Sequence, residues 1–324
     1  MSYKQLTLKE RYHISTLLRN GYKQKEIARQ LEVHPSTISR EIRRNWDSRT
    51  GMYEYTTAQL QTQKRHRDKN KYTVLSHRIE QYIRDKLKAG WSPEQIAGRM
   101  QYEEIGSISH ETIYQFIYRN KAHGGRLYRY LRHKNKKYHK RNNAYRPRGV
   151  IPERTMIEER PSIVEEKARV GDWEIDTIIG KDHQGALVTA VDRKSKFTLI
   201  KNVPSKHAEV VTSALIEMFS PIKPILKTIT SDNGKEFAYH KQVSRILEAD
   251  FYFANPYHSW ERGLNEHTNG LIRQYLPKKT DFTHISKEEI ITIQERLNHR
   301  PRKVLGYRTP YEVFFEEFAK EMAA

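Results

Sequence analysis

The first hundred and twenty positions alternate apolar and polar residues with a helical period. Leu8 opens such a run, with Tyr12, Ile14, Leu17 and Leu18 on one side, and it stops near Gly21. A second helix is predicted from Gln24 to about Leu31, with Ile27, Ala28 and Leu31 on one face. Pro35, whose fixed φ suits a first turn, starts a third through Arg44. Ile38 and Ile42, four residues apart, would pack back on Ile27 and Leu31, which leaves Ser36, Thr37, Ser39, Arg40, Arg43 and Arg44 on the other side. That is the spacing of a helix-turn-helix. Short hydroxyl side chains at a helix start, followed by arginines, suit a major groove, with base edges at one end and phosphates alongside. A related pattern recurs as three helices, His77 to Leu87, Glu94 to Met100 and Ser109 to Ile117, and predicts a second, similar module that includes Thr112 on its third helix.

From about Arg169 the period changes to that of strands. Residues 171–181, 185–193 and 196–203 read as an antiparallel meander. They are followed by a helix (207–219), a strand (226–231), a helix (235–248), a short strand (251–254), a helix (260–276) and a last helix (287–298). This is the element order of a ribonuclease-H-like α/β domain with a mixed five-stranded sheet. The expected organisation is therefore multidomain: a helix-turn-helix domain over 1–50, a second helical DNA-binding module over 51–118, a basic linker over 119–160 and the α/β domain with a helical extension over 161–324.

Charge sharpens this division. The 324 residues carry 59 Lys and Arg against 39 Asp and Glu, a net charge of +20. The first 150 residues hold 33 basic and 13 acidic side chains and the remainder 26 of each, so the whole surplus lies in the N-terminal half. A polyanion partner, above all nucleic acid, is implied for that half. Residues 119–148 hold twelve Lys and Arg, no acid and four tyrosines. Such a run is expected to be extended and to track a phosphate backbone, with Lys136 and Lys137 among its contacts. With no cysteine there is no disulfide framework, no Cys-ligated zinc and no thiol catalysis. No apolar stretch approaches the roughly 18–20 residues that cross a bilayer, and the N-terminus lacks an apolar signal core, so no membrane partner and a cytoplasmic, nucleoid-associated location are expected.

The candidate chemistry is carboxylate chemistry. Strand alternation puts Asp172, Glu174 and Asp176 on one face, an unfavourable grouping without a cation. Asp232 follows the fourth strand. An Asn-Gly pair after it is a hairpin signal, but the helical character of the chain from Lys235 onward favours a carboxylate at a strand end. In the helix after the fifth strand, Arg262, Glu266, Asn269 and Arg273 share a face, so that Glu266 reads either as a surface ion pair or as a metal ligand flanked by phosphate-binding groups. Hard oxygen ligands select Mg²⁺ or Mn²⁺, and two such ions about 3.5–4 Å apart support in-line phosphoryl displacement.

The blocks Gly171-Asp172-Trp173-Glu174-Ile175-Asp176, Ser231-Asp232-Asn233-Gly234 and Arg262-Gly263-Leu264-Asn265-Glu266 closely resemble those of the bacterial DDE transposases of the insertion-sequence family numbered thirty, within the integrase-like superfamily. The resemblance extends through the helices before Arg44 and the segment 297–307. The 33 residues between Asp232 and Glu266 fit it too, while Ile175 and His267 stand where that family has glycine and asparagine. It implies catalytic, metal-binding Asp176, Asp232 and Glu266, the use of two Mg²⁺ ions, and double-stranded DNA partners in the form of terminal inverted repeats and target. It also implies metal-assisted cleavage that frees a 3′-hydroxyl, and attack of that hydroxyl on a second phosphodiester. Two ends to be joined imply a homodimer or higher homo-oligomer. A structure-selective nuclease or a helix-turn-helix regulator without chemistry are the competing readings.

Overall fold

The computed structural model describes residues 5–48, 50–68, 75–132, 151–256 and 258–323. The chain divides into two compact units, Met1–Val74 and Leu75–Ala324.

In the first unit Thr7 caps α1 (Leu8–Arg19), its hydroxyl accepting from the Glu10 amide while the Glu10 carboxylate accepts from the Thr7 amide. Helices α2 (Gln24–Gln30) and α3 (Pro35–Asn45) come next, then a two-residue ladder of β1 (Trp46–Asp47) with β2 (Met52–Tyr53), and α4 (Tyr55–Asp68). Ile14, Ile27, Ala28, Ile38, Ile42, Tyr53 and Ala58 form one core. Because Tyr53 and Ala58 belong to it, the unit runs on past residue 50, where the sequence pattern puts a boundary. Arg11 is buried in this unit, with its Nε 2.7 Å from Glu41.

The second unit begins with α5 (His77–Lys88), α6 (Pro93–Tyr102) and α7 (His110–Ala122), each capped by a serine, Ser76, Ser92 or Ser109. The basic run does not begin as an extended linker. Residues 119–132 complete α7 and form a 3₁₀ turn whose Leu127 is buried with Ile113, Phe116 and Ile117, a better solution for that side chain than water. Lys136 and Lys137 lie outside the described residues. Ile151 already belongs to the core of the α/β body, ahead of the expected start at 161.

That body contains α8 (Ile163–Glu166), β3 (Asp172–Ile179), β4 (Ala186–Asp192), β5 (Thr198–Val203), α9 (Ala208–Phe219), β6 (Thr228–Ser231), α10 (His240–Leu247), β7 (Asp250–Phe253), α11 (Gly263–Ile272), α12 (Lys287–Asn298) and α13 (Pro310–Ala323). The sheet order is β5-β4-β3-β6-β7, antiparallel across the first three strands and parallel from β3 to β7, the ribonuclease-H-like arrangement. Trp173 and Ile175 pack on one face with Phe219, Val243 and Phe314 of α9, α10 and α13. Ile178, Leu187 and Ile200 pack on the other with Leu271, Ile290 and Ile293 of α11 and α12. The edge strand β5 is covered rather than exposed: Asn298 of α12 bonds both the amide and the carbonyl of Thr198, and Gln294 accepts from the Ile200 amide.

Within this unit the helical module is tied to the C-terminal segment. Arg99 of α6 makes a two-pronged contact with Glu312 of α13, at 2.6 and 2.8 Å, and Lys303 reaches Glu94 at 2.7 Å. The Tyr307 ring lies on the α6 backbone at Gly98, so close that a Cβ there would sit 2.3 Å from it.

Candidate active site

Each acid on β3 has its own cation. Asp172 and Glu174 are almost fully buried. Arg169 lies 3.0 Å from Asp172, which also accepts from the Thr228 hydroxyl, and Arg193 lies 2.6 Å from Glu174, which also accepts from the Asn265 amide. Arginine thus supplies the positive charge that the shared face demanded, and these two carboxylates are structural. Asp176, nearer the end of the strand, is only partly buried.

The parallel register that pairs Glu174 with Thr230 sets Asp176 beside Asp232, two residues further along each strand. After Asp232 the chain turns, with the Gly234 amide donating to Asp232 Oδ1 at 3.0 Å, into a 3₁₀ turn and then α10, so no hairpin forms. A Cβ on Gly234 would stand 2.9 Å from that same oxygen and 2.6 Å from the Glu236 carboxylate, so a side chain there would displace one or both. Arg262, just ahead of α11, brings the two aspartates together. Its Nη1 is 3.8 Å from Asp176 Oδ1 and its Nη2 3.5 Å from Asp232 Oδ2, while Nη1 also donates to the Ile175 carbonyl at 3.1 Å. Burial pushes the Asp176 carboxyl up to about 6, with Arg262 pulling against it and the Asp232 charge adding to it.

Asn269 donates to Asp176 Oδ2 at 2.8 Å and accepts from the Thr189 hydroxyl at 3.2 Å, which fixes the orientation of its amide. Arg273 donates to the Ile179 and Pro277 carbonyls. Arg262, Asn269 and Arg273, expected to meet phosphate, are engaged by the protein instead: Arg262, just ahead of α11, by the two aspartates, Asn269 by Asp176, and Arg273, just past the helix, by backbone carbonyls. Glu266 is on an exposed position of α11, and among the described residues no group of three His, Cys, Asp or Glu is gathered closely enough to hold a metal.

In the first unit α3 exposes Ser39, Arg40, Arg43 and Arg44, whereas Ser36 is engaged by the His34 ring at 2.8 Å and Thr37 is half-buried. Thr112 on α7 is likewise occupied, its hydroxyl 2.9 Å from the cap hydroxyl of Ser109. Sequence reasoning misses Arg193, whose only local sign is its place directly after a strand. It also misses the Arg99–Glu312 pair, 213 residues apart and without any signal along the chain.

Residues 2–45 match a helix-turn-helix domain family and residues 167–259 the integrase core domain family. The chain is 47% identical over 311 residues to the transposase for insertion sequence element IS4351 of Bacteroides fragilis, covering 96% of this chain and 95% of that one. The chain belongs to the transposases of IS30-type insertion sequences. It is 34% identical to transposase InsI for insertion sequence element IS30A of Escherichia coli, over 95% of this chain and 82% of that one. With the transposase for IS1086 of Cupriavidus metallidurans it shares 33% over 98% and 96%. As a member of this family it binds DNA through its helix-turn-helix, and its integrase core catalyses divalent-metal-dependent DNA cleavage and strand transfer. No helix among the described residues is long and apolar enough to cross a membrane.

Proposed function

We propose that Asp176, Asp232 and Glu266 are the catalytic carboxylates of this transposase and that its DNA substrates are the terminal inverted repeats of its own element and a target duplex. The observation that carries this reading is the convergence of Asp176 and Asp232, from neighbouring parallel strands, on a single guanidinium. Two hard carboxylates that share one cation fit a divalent ion of the Mg²⁺ or Mn²⁺ class, and the raised Asp176 carboxyl supports a place there for further positive charge. Glu266, exposed in the first turn of α11 and four residues after Arg262, is assigned as the third ligand by its place in the motif shared with the family.

When bound, two such ions supply Lewis-acid activation of an attacking oxygen and stabilisation of the leaving one. The protein's own part is to orient Asp176 through Asn269 and Thr189, and to hold Asp232 in its turn through the Gly234 amide. Water is the nucleophile in cleavage, which leaves a 3′-hydroxyl. That hydroxyl attacks a second phosphodiester, one P–O bond forming as another breaks, with no covalent protein–DNA bond. Exposed Arg40, Arg43 and Arg44 of α3 read the repeat, and two subunits hold the two ends.

The test is Asp232→Asn. It should abolish cleavage and joining by at least two orders of magnitude while binding of the repeat stays near that of the unaltered protein, because the recognition helix belongs to the other compact unit. Normal cleavage by that variant would remove Asp232 from the site.

A further inference from the structure

Beside α11 stand two buried arginines with no carboxylate partner among the described residues. Arg300 and Arg302, in the segment that follows α12, are 3% and 8% exposed. Among the described residues Arg300 donates only to neutral oxygens, the Tyr275 hydroxyl at 2.8 Å and the Gln274 side chain at 3.1 Å. Among the described residues the Arg302 side chain reaches only the Leu297 carbonyl, at 3.3 Å. The Nε of each is buried and lacks an acceptor among the described residues. A histidine and a further arginine adjoin them. His267 is on α11, and Arg132 lies against Gly270 one turn further along, its Nη2 3.3 Å from where a Cβ would stand. Arg302 and His267 both line a cavity of about 1010 Å³. The acids on that cavity are already engaged: Glu165 and Glu174 by Arg193, Glu158 and Glu261 by Asn255.

Buried guanidinium groups are ordinarily paired, since desolvating an unpaired charge is strongly unfavourable. Here burial, and then the positive charges of its neighbours Arg300 and Arg132, pull Arg302 down to about 10. A structural role would have called for a carboxylate. An anion that arrives from outside would satisfy the free N–H groups and relieve the repulsion together.

We propose that Arg302, Arg300, His267 and Arg132 form a phosphate subsite that takes one phosphodiester of the DNA strand lying along α11. The site is separate from the aspartate pair and made by different residues, so it anchors the backbone without touching the reacting bond. Its ligand's identity rests on the proposed DNA-processing function, but its anion chemistry does not.

The experiment uses the full chain. Melting temperature is measured in sodium phosphate against sodium chloride of equal ionic strength, for the unaltered protein, for Arg302→Gln and for Arg126→Gln, an arginine outside the group. A saturable rise of several degrees in phosphate is expected for the unaltered and Arg126→Gln proteins and its loss in Arg302→Gln. Duplex binding is then followed against salt, where Arg302→Gln should lower the slope of log affinity on log salt by about one. A set of duplexes with single neutral methylphosphonate linkages should hold one whose neutralisation weakens the unaltered protein and not the variant. A rise in phosphate with an unchanged salt slope would mean that the site takes free phosphate, and the DNA assignment falls. No phosphate effect on the unaltered protein overturns the subsite itself, whether or not Arg302→Gln folds. Loss of cleavage in Asp232→Asn has no bearing on either arm, so the two readings fail separately.

Discussion

Asp172, Glu174 and Asp176 occupy one face of one strand, yet they have three fates because they meet three different arginines. Glu174 and Arg193 are 2% and 3% exposed, so that removing either partner strands the other in a medium that cannot solvate it. Arg193→Gln should therefore lower the stability of the second unit by about 3–5 kcal/mol in denaturant unfolding, and the double change with Glu174→Gln by clearly less. Asn269→Ala acts differently. It frees Asp176 Oδ2 without breaking an ion pair, and should raise the metal concentration needed for half-maximal cleavage several-fold while stability changes by only about 1 kcal/mol. Alternation along the strand makes the shared face legible. It gives no means of telling a structural carboxylate from a working one, because Arg193 and Arg262 arrive from 19 and 86 residues away from their partners Glu174 and Asp176.

At the scale of elements, the strands and most helices follow from local pattern, since apolar residues at period 2 or 3.6 leave little choice of face. Helix α11 is shorter than the pattern allows, ten residues instead of seventeen: its first three are taken by the 3₁₀ turn that carries Arg262 to the aspartates, and its last four leave the helix as a turn after Ile272. Helix α4 is invisible to the pattern. Its sequence is polar nearly throughout, and Ala58 is its one fully buried apolar side chain, so period gives no signal there. The contact of α6 with the C-terminal segment depends on the absence of a side chain. Gly98→Ala would put a methyl group into the Tyr307 ring, and should destabilise the second unit by about 1–3 kcal/mol. Adding Tyr307→Leu should recover part of that loss, which chemical denaturation of the single and double variants can read.

For the whole molecule, the Arg99–Glu312 contact predicts how the helical module answers acid. Hydrogen bonds from Arg99 hold the Glu312 carboxyl down at about 2, below its ordinary 4.5. A depressed carboxyl stabilises the fold fully above its unfolded pKa, and that contribution disappears as pH falls from about 4.5 through 2. Glu312→Gln should abolish that part of the acid dependence, measured as the change in melting temperature of the unaltered and variant chains over this range. The division of the chain into two units with separate cores has a consequence for descent. On the proposed reading of α3, drift at Ser39, Arg40, Arg43 and Arg44 changes no residue of the sheet's own core, so a lineage can change its address while its chemistry is inherited intact. The reverse constraint is tighter for α5 to α7: sharing a unit with the sheet, and held to α13 through Arg99, they must be handed down with the catalytic residues rather than exchanged for another reader.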